Sequence, residues 1–67
     1  MDIGESLKII RKTRNINQEK LSIETGISQS ALSLWERNKR TPNIIDCIKL
    51  ADYYEITLDE LVGRDNF

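Results

Sequence analysis

Apolar residues return along this chain at intervals of three and four, and no stretch alternates apolar with polar residues as a half-buried strand would. Near the start, Ile3, Leu7 and Ile10 form such a stripe, which predicts a first helix from about Asp2 to Arg14. Asp2 and Glu5 at its head and Lys12 and Arg14 at its tail suit the helix dipole. Further on, Ile44, Cys47, Ile48, Ala51 and Tyr54 read as the inward face of a helix from about Ile44 to Tyr54, with Asn43 as its cap. Before it, Asn38-Lys39-Arg40-Thr41-Pro42 has the composition of a loop, because Pro42 cannot continue a helix. Thr57 with Glu60 three residues later makes a capping box for a short last helix, Leu58 to Val62, ended by Gly63.

The segment between Gln18 and Glu36 reads as two short helices joined by a tight turn. Asn17 can cap the first of them, accepting from an orphan backbone N–H of the opening turn. Leu21 and Thr25 share a face, and Ser22 keeps the flank small where a crossing helix comes close. Gly26 can take the left-handed conformation that stops a helix abruptly, Ile27 can plug the corner, and Ser28 can cap the helix that follows. Leu32 and Trp35, three apart, point back toward Leu21 and Ile27 as core. Gln29, Ser30, Ser33 and Leu34 remain outward, a small, mostly uncharged face that suits the edges of bases.

Taken in order, Asn17-Gln18-Glu19-Lys20-Leu21-Ser22, Gly26-Ile27-Ser28, Leu32, Trp35-Glu36-Arg37 and Pro42 resemble the phage repressor and Cro type of helix-turn-helix domain, from about Ile3 to about Leu61. The resemblance implies an all-α fold, a compact five-helix bundle in which helices 2 and 3 form the helix-turn-helix. It also implies a sequence-specific, double-stranded-DNA-binding regulator of transcription, a repressor above all, acting as a homodimer on a pseudo-palindromic operator with half-sites about 34 Å apart.

On this footing Gln29 is the leading candidate for direct readout, since its amide can pair with N6 and N7 of adenine. Ser30 and Ser33 reach bases or phosphates with little discrimination. Leu34 departs from the polar or basic residue usual in the family, and either meets a thymine methyl or packs. Arg37, Lys39 and Arg40 are expected on phosphates, with Ser28, Asn38 and Asn43 beside them and with Asn17 and Gln18 at a helix N-terminus. Gln18 can also buttress Gln29, and Asn38, where the family commonly has glycine, can hold a left-handed C-cap. Similar domains pair an arginine of the first helix with the glutamate closing the recognition helix, which assigns Arg11 and Glu36 a structural ion pair. Tyr53 lies off the main stripe of its helix, so with Ile56, Leu58 and Phe67 it is expected on an association surface, the dimer's, instead of in the core.

Charge complicates the picture. Ten Lys and Arg against eleven Asp and Glu leave −1, which argues against a nucleic-acid partner, but the distribution is dipolar. Residues 37–45 carry +3 with no acid, whereas residues 46–67 carry −4. The cations gather just after the recognition helix. With 67 residues the chain supports one domain, residues 1–67, burying about 60% of its unfolded surface. Its single cysteine, Cys47, can form neither an internal bridge nor a metal cluster and reads as a small buried residue in a reducing, cytoplasmic setting. No signal peptide or membrane span is expected.

Catalysis is not expected, and neither is a cofactor or a metal. Histidine is absent, the lone cysteine has no imidazole to activate it, and adjacent Asp59 and Glu60 suit the dipole of the last helix. Two other readings stay open. One is an antitoxin or restriction-modification controller whose acidic C-terminal helices engage a protein partner. The other is a protein-interaction module that keeps the helix-turn-helix shape without binding DNA.

Overall fold

Each helix begins at a side chain that accepts a hydrogen bond from the backbone N–H three residues on. In a computed structural model that describes residues 2–64, Asp2, Asn17, Ser28, Asn43 and Thr57 play this part for Glu5, Lys20, Ala31, Asp46 and Glu60. These caps open α1 (Ile3–Thr13), α2 (Gln18–Thr25), α3 (Gln29–Glu36), α4 (Ile44–Tyr54) and α5 (Leu58–Val62). The box at the head of α5 is complete, with Glu60 accepting in return from the Thr57 N–H. Among the described residues there is no strand, and the all-α five-helix reading stands. None of the helices is long and apolar enough to cross a membrane.

Gly26 ends α2 with φ at 79°, the left-handed geometry the corner demands. Gly63 does the same after α5. Glu55 ends α4 at φ 58° with no glycine, as Ile56 N–H returns to the Ala51 carbonyl at 3.0 Å. α1 packs on α3 and α5, α2 on α3 and α4, and α4 on α5. Leu7, Leu21, Ile27, Leu32, Trp35, Cys47, Leu50, Ala51, Tyr54 and Leu61 form one core, in which Leu32, Leu50 and Leu61 are the largest fully buried side chains.

The inward face of α4 differs from the sequence reading. Leu50 is buried with Cys47, Ala51 and Tyr54, whereas Ile44 and Ile48 are 60% and 41% exposed. Ile48 lies about 100° round the helix from Cys47, on the flank away from Leu50. Tyr53 and Ile56 are half-buried against the core rather than confined to an outer surface, and Leu58 is exposed. The Tyr53 hydroxyl donates to Glu24, and its ring meets Tyr54 edge-on at 5.2 Å. Phe67, the fourth member of the expected association surface, lies outside the described residues.

Candidate nucleic-acid interface

Ser28 starts α3 so that positions 29 and 33, and positions 30, 34 and 37, fall on one side. Gln29, Ser30, Ser33, Leu34 and Arg37 accordingly line one open groove of about 450 Å³, together with Gln18 from the head of α2. Gln29, Ser30 and Arg37 are exposed, while Ser33 and Leu34 are half-buried. Leu32 and Trp35 face the other way into the core, so the outward face of α3 is carried on a rigid element.

Behind the groove stands the expected ion pair. Arg11 Nε donates to Glu36 Oε2 at 2.7 Å and Arg11 Nη2 to Glu36 Oε1 at 2.9 Å, a two-pronged contact with side chains only 11% and 6% exposed. Arg11 Nη1 also donates to the Ile16 carbonyl at 2.8 Å, tying in the loop between α1 and α2. Burial pushes the Glu36 carboxyl up, but hydrogen bonds from Arg11 and Gln18 and the charges of Arg11 and Lys8 outweigh it and hold it below its ordinary value. The hydrogen bond to Glu36 raises Arg11 in turn.

Gln18 donates its amide to Glu36 Oε1 at 3.1 Å, so it buttresses the ion pair and not Gln29. The sequence offered no signal for this choice, because Glu36 is eighteen residues away. For an anion Gln18 keeps its second amide hydrogen and its backbone N–H at the head of α2. The caps Asn17, Ser28 and Asn43 each spend an oxygen on their own helix, and the hydrogens of the same groups remain for a ligand with acceptor oxygens.

Asn38 takes the left-handed conformation expected of it, at φ 58°. Its amide, however, is committed to the N-terminus of α1: Oδ1 accepts from Gly4 N–H at 3.1 Å and Nδ2 donates to Asp2 Oδ1 at 2.7 Å. The Asp2 carboxyl is held below its ordinary value first by the hydrogen bond from the Glu5 N–H and then by the one from the Asn38 amide. Asn38 therefore braces α1 against the end of α3, and of its side chain only the second amide hydrogen is left for an acceptor. Gly4 makes this approach possible, since a Cβ there would overlap the Trp35 carbonyl oxygen and the Asn38 side chain. Sequence reading missed Gly4; the signal was a glycine inside an otherwise regular helical stripe.

Arg37, Lys39 and Arg40 are exposed on the turn that leaves α3. Arg37 Nε donates to the Ser33 carbonyl at 3.3 Å, which lays the side chain along the groove. Lys39 and Arg40 N–H both return to the Leu34 carbonyl, at 2.9 and 3.3 Å, so the backbone beneath these cations is held to the recognition helix. The result is a polar, uncharged wall with one apolar side chain, bordered by three cations.

Similar proteins extend the comparison. The family profile described as helix-turn-helix matches residues 7–61. The chain is 38% identical over 64 residues to the transcriptional repressor RstR of the cryptic phage CTXphi in Vibrio cholerae, covering 96% of this chain and 57% of that protein. It is 32% identical over 65 residues to the transcriptional activator BcrR of Enterococcus faecalis, covering 97% of this chain and 32% of the relative. With the transcriptional regulator ImmR of Bacillus subtilis the identity is 31% over 65 residues, covering 97% and 51%. The chain thus spans between a third and somewhat more than half the length of these three relatives. No solved structure matches it. With α2 and α3 forming the corner and the family profile running from Leu7 to Leu61, the chain belongs to the helix-turn-helix family, of the phage repressor and Cro type.

Proposed function

We propose that the chain is a sequence-specific regulator of transcription that binds double-stranded DNA, with α3 in the major groove, and represses by occupying a pseudo-palindromic operator as a homodimer. The observation that carries this is the shared groove of Gln29, Ser30, Ser33, Leu34 and Arg37, with Lys39 and Arg40 on the turn beside it. Gln29 reads a base, adenine being its best bidentate partner, and Ser30 and Ser33 add contacts of low discrimination. Arg37, Lys39 and Arg40, with the helix heads at Asn17, Ser28 and Asn43, fix the register on phosphates.

An eight-residue helix touches few base pairs, so useful specificity calls for two copies. The molecule measures 33 × 24 × 22 Å, which allows two neighbours to set their α3 helices one turn of DNA apart, about 34 Å. Ile9, Ile23, Ile44, Ile45, Ile48 and Leu58 are the large exposed apolar residues, and of this surface Leu58, with the outer parts of Tyr53 and Ile56, is the part assigned to a second copy. Repression is the sign favoured by the likeness to RstR, whereas BcrR, of which the chain covers only 32%, is named an activator. A second reading, control through a protein partner, is favoured by the exposed acids Asp52, Glu55 and Asp59 on the side formed by α4 and α5.

Selection of bound sites from random duplex DNA tests the proposal. Enriched inverted repeats with centres about 10 base pairs apart are expected. Asymmetric single sites would remove the dimer, and no enrichment at low salt would remove DNA binding.

A further inference from the structure

Leu34 is the one apolar side chain in the groove otherwise lined by Gln18, Gln29, Ser30, Ser33 and Arg37. It is half-buried, which supports it in place while leaving it open to contact. It also lines the neighbouring groove, of about 250 Å³, with Ala31, Arg40, Asn43 and Asp46, so Leu34 is an apolar ledge shared by the two, continued into the second by Ala31. Cations stand on either side of that ledge: Arg37 in one groove and Arg40 in the other.

A duplex whose phosphates meet Arg37 and Arg40 brings base edges, not backbone, against Leu34. In the major groove those edges carry one apolar group, the methyl on C5 of thymine; cytosine sets an N4 donor nearby with no partner in hydrocarbon. From this geometry, and resting on the DNA-binding reading above, we infer that Leu34 is a specificity-determining residue that takes the 5-methyl group of a pyrimidine. Its thymine lies close to the base read by Gln29. Five residues of helix separate the two side chains by about 7.5 Å along the axis, which is about two base-pair steps at roughly 3.4 Å each. Methylation of cytosine at the same place supplies the same group, so the site distinguishes methylated from unmethylated cytosine.

Uracil differs from thymine only in that methyl, which makes it the probe. In a site selected from random DNA, each thymine is replaced in turn by deoxyuridine and binding is titrated by gel shift. One thymine near the Gln29-dependent position is expected to weaken binding about fourfold when its methyl is removed. In Leu34→Ala, verified as folded by its thermal melt, thymine and uracil at that position are expected to bind equally. A cytosine placed there is expected to gain from 5-methylation in the wild-type protein and not in the variant. Wild-type binding indifferent to every thymine-to-uracil change overturns the inference while leaving DNA binding intact, as does a methyl effect that survives Leu34→Ala. Failure to enrich any site brings down the DNA-binding reading itself, and this inference with it.

Discussion

Arg11 and Glu36 meet through two parallel hydrogen bonds of 2.7 and 2.9 Å, joining the third turn of α1 to the last residue of the recognition helix. Both side chains are nearly out of solvent, so removing one strands the other. Glu36→Gln is expected to lower the unfolding free energy by about 3 kcal/mol. Arg11→Met with Glu36→Leu in one chain is expected to cost less than the two single changes added together. Urea denaturation of the four proteins measures the coupling, and simple additivity would contradict a direct pair.

The same contact sets an acid response. Glu36 titrates below its ordinary 4.5 when folded, so its contribution is complete above that value and is lost as pH falls through the lower folded value. Wild-type stability is therefore expected to drop more steeply below about pH 4.5 than that of Glu36→Gln. Parallel profiles for the two proteins would mean that the carboxyl is not held down by its partners.

Gln29 and Lys39 are assigned different tasks, and binding separates them. Gln29→Ala is expected to cost about 1 to 3 kcal/mol at one operator position and to relax the preference there. Lys39→Ala is expected to weaken all sequences alike and to flatten the slope of affinity against salt by about one unit. Equal loss on random DNA from Gln29→Ala removes it from base reading, and an unchanged slope removes Lys39 from the phosphates.

Asn38 combines left-handed backbone with two hydrogen bonds to the start of α1. Asn38→Ala gives up the bonds and places an ordinary side chain at positive φ, an expected loss of about 2 kcal/mol. Asn38→Gly gives up the bonds alone and is expected to be about 1 kcal/mol better than the alanine variant. Melting curves order the three proteins, and an alanine variant as stable as the glycine one would show that the backbone carries no strain there.

Local chemistry is where the sequence was most readable. Cap residues such as Ser28 and Thr57 act on atoms three residues away, and Gly26 acts on its own backbone, so these features need no tertiary partner to be inferred. The stripe of α4 was harder, because Ile44, Ile45, Cys47, Ile48, Leu50 and Ala51 are apolar nearly all round the helix and α2 and α5 decide which face is covered. Gln18 chose Glu36 over Gln29, and Arg14 reached forty residues to the Tyr54 carbonyl at 3.1 Å and lies over its ring at 5.3 Å. Such pairings depend on helix placement, which periodicity does not encode. Glu55 in left-handed geometry is of the same kind: the Ala51 and Asp52 carbonyls impose it on a residue with no preference for it.

Tyr54 is 2% exposed, and its hydroxyl has no hydrogen-bond partner among the described residues. Burial, partly opposed by Arg11 and aided by Glu36, pushes the phenol from 10 up to about 12. Because the unfolded chain releases this proton first, the group favours the folded state below pH 10 and loses that contribution as pH rises toward 12. Tyr54→Phe keeps the ring in the core and discards the unpaired hydroxyl, so at neutral pH it is expected to match or exceed wild-type stability by up to about 1 kcal/mol. Above pH 10 the gap is expected to widen in favour of the variant, with a slope of up to about 1.4 kcal/mol per pH unit. Urea midpoints from pH 8 to pH 11.5 test both limbs. A variant clearly weaker at neutral pH would show that the hydroxyl has a partner after all, and a gap that does not grow would mean that this tyrosine ionises as readily in the fold as out of it.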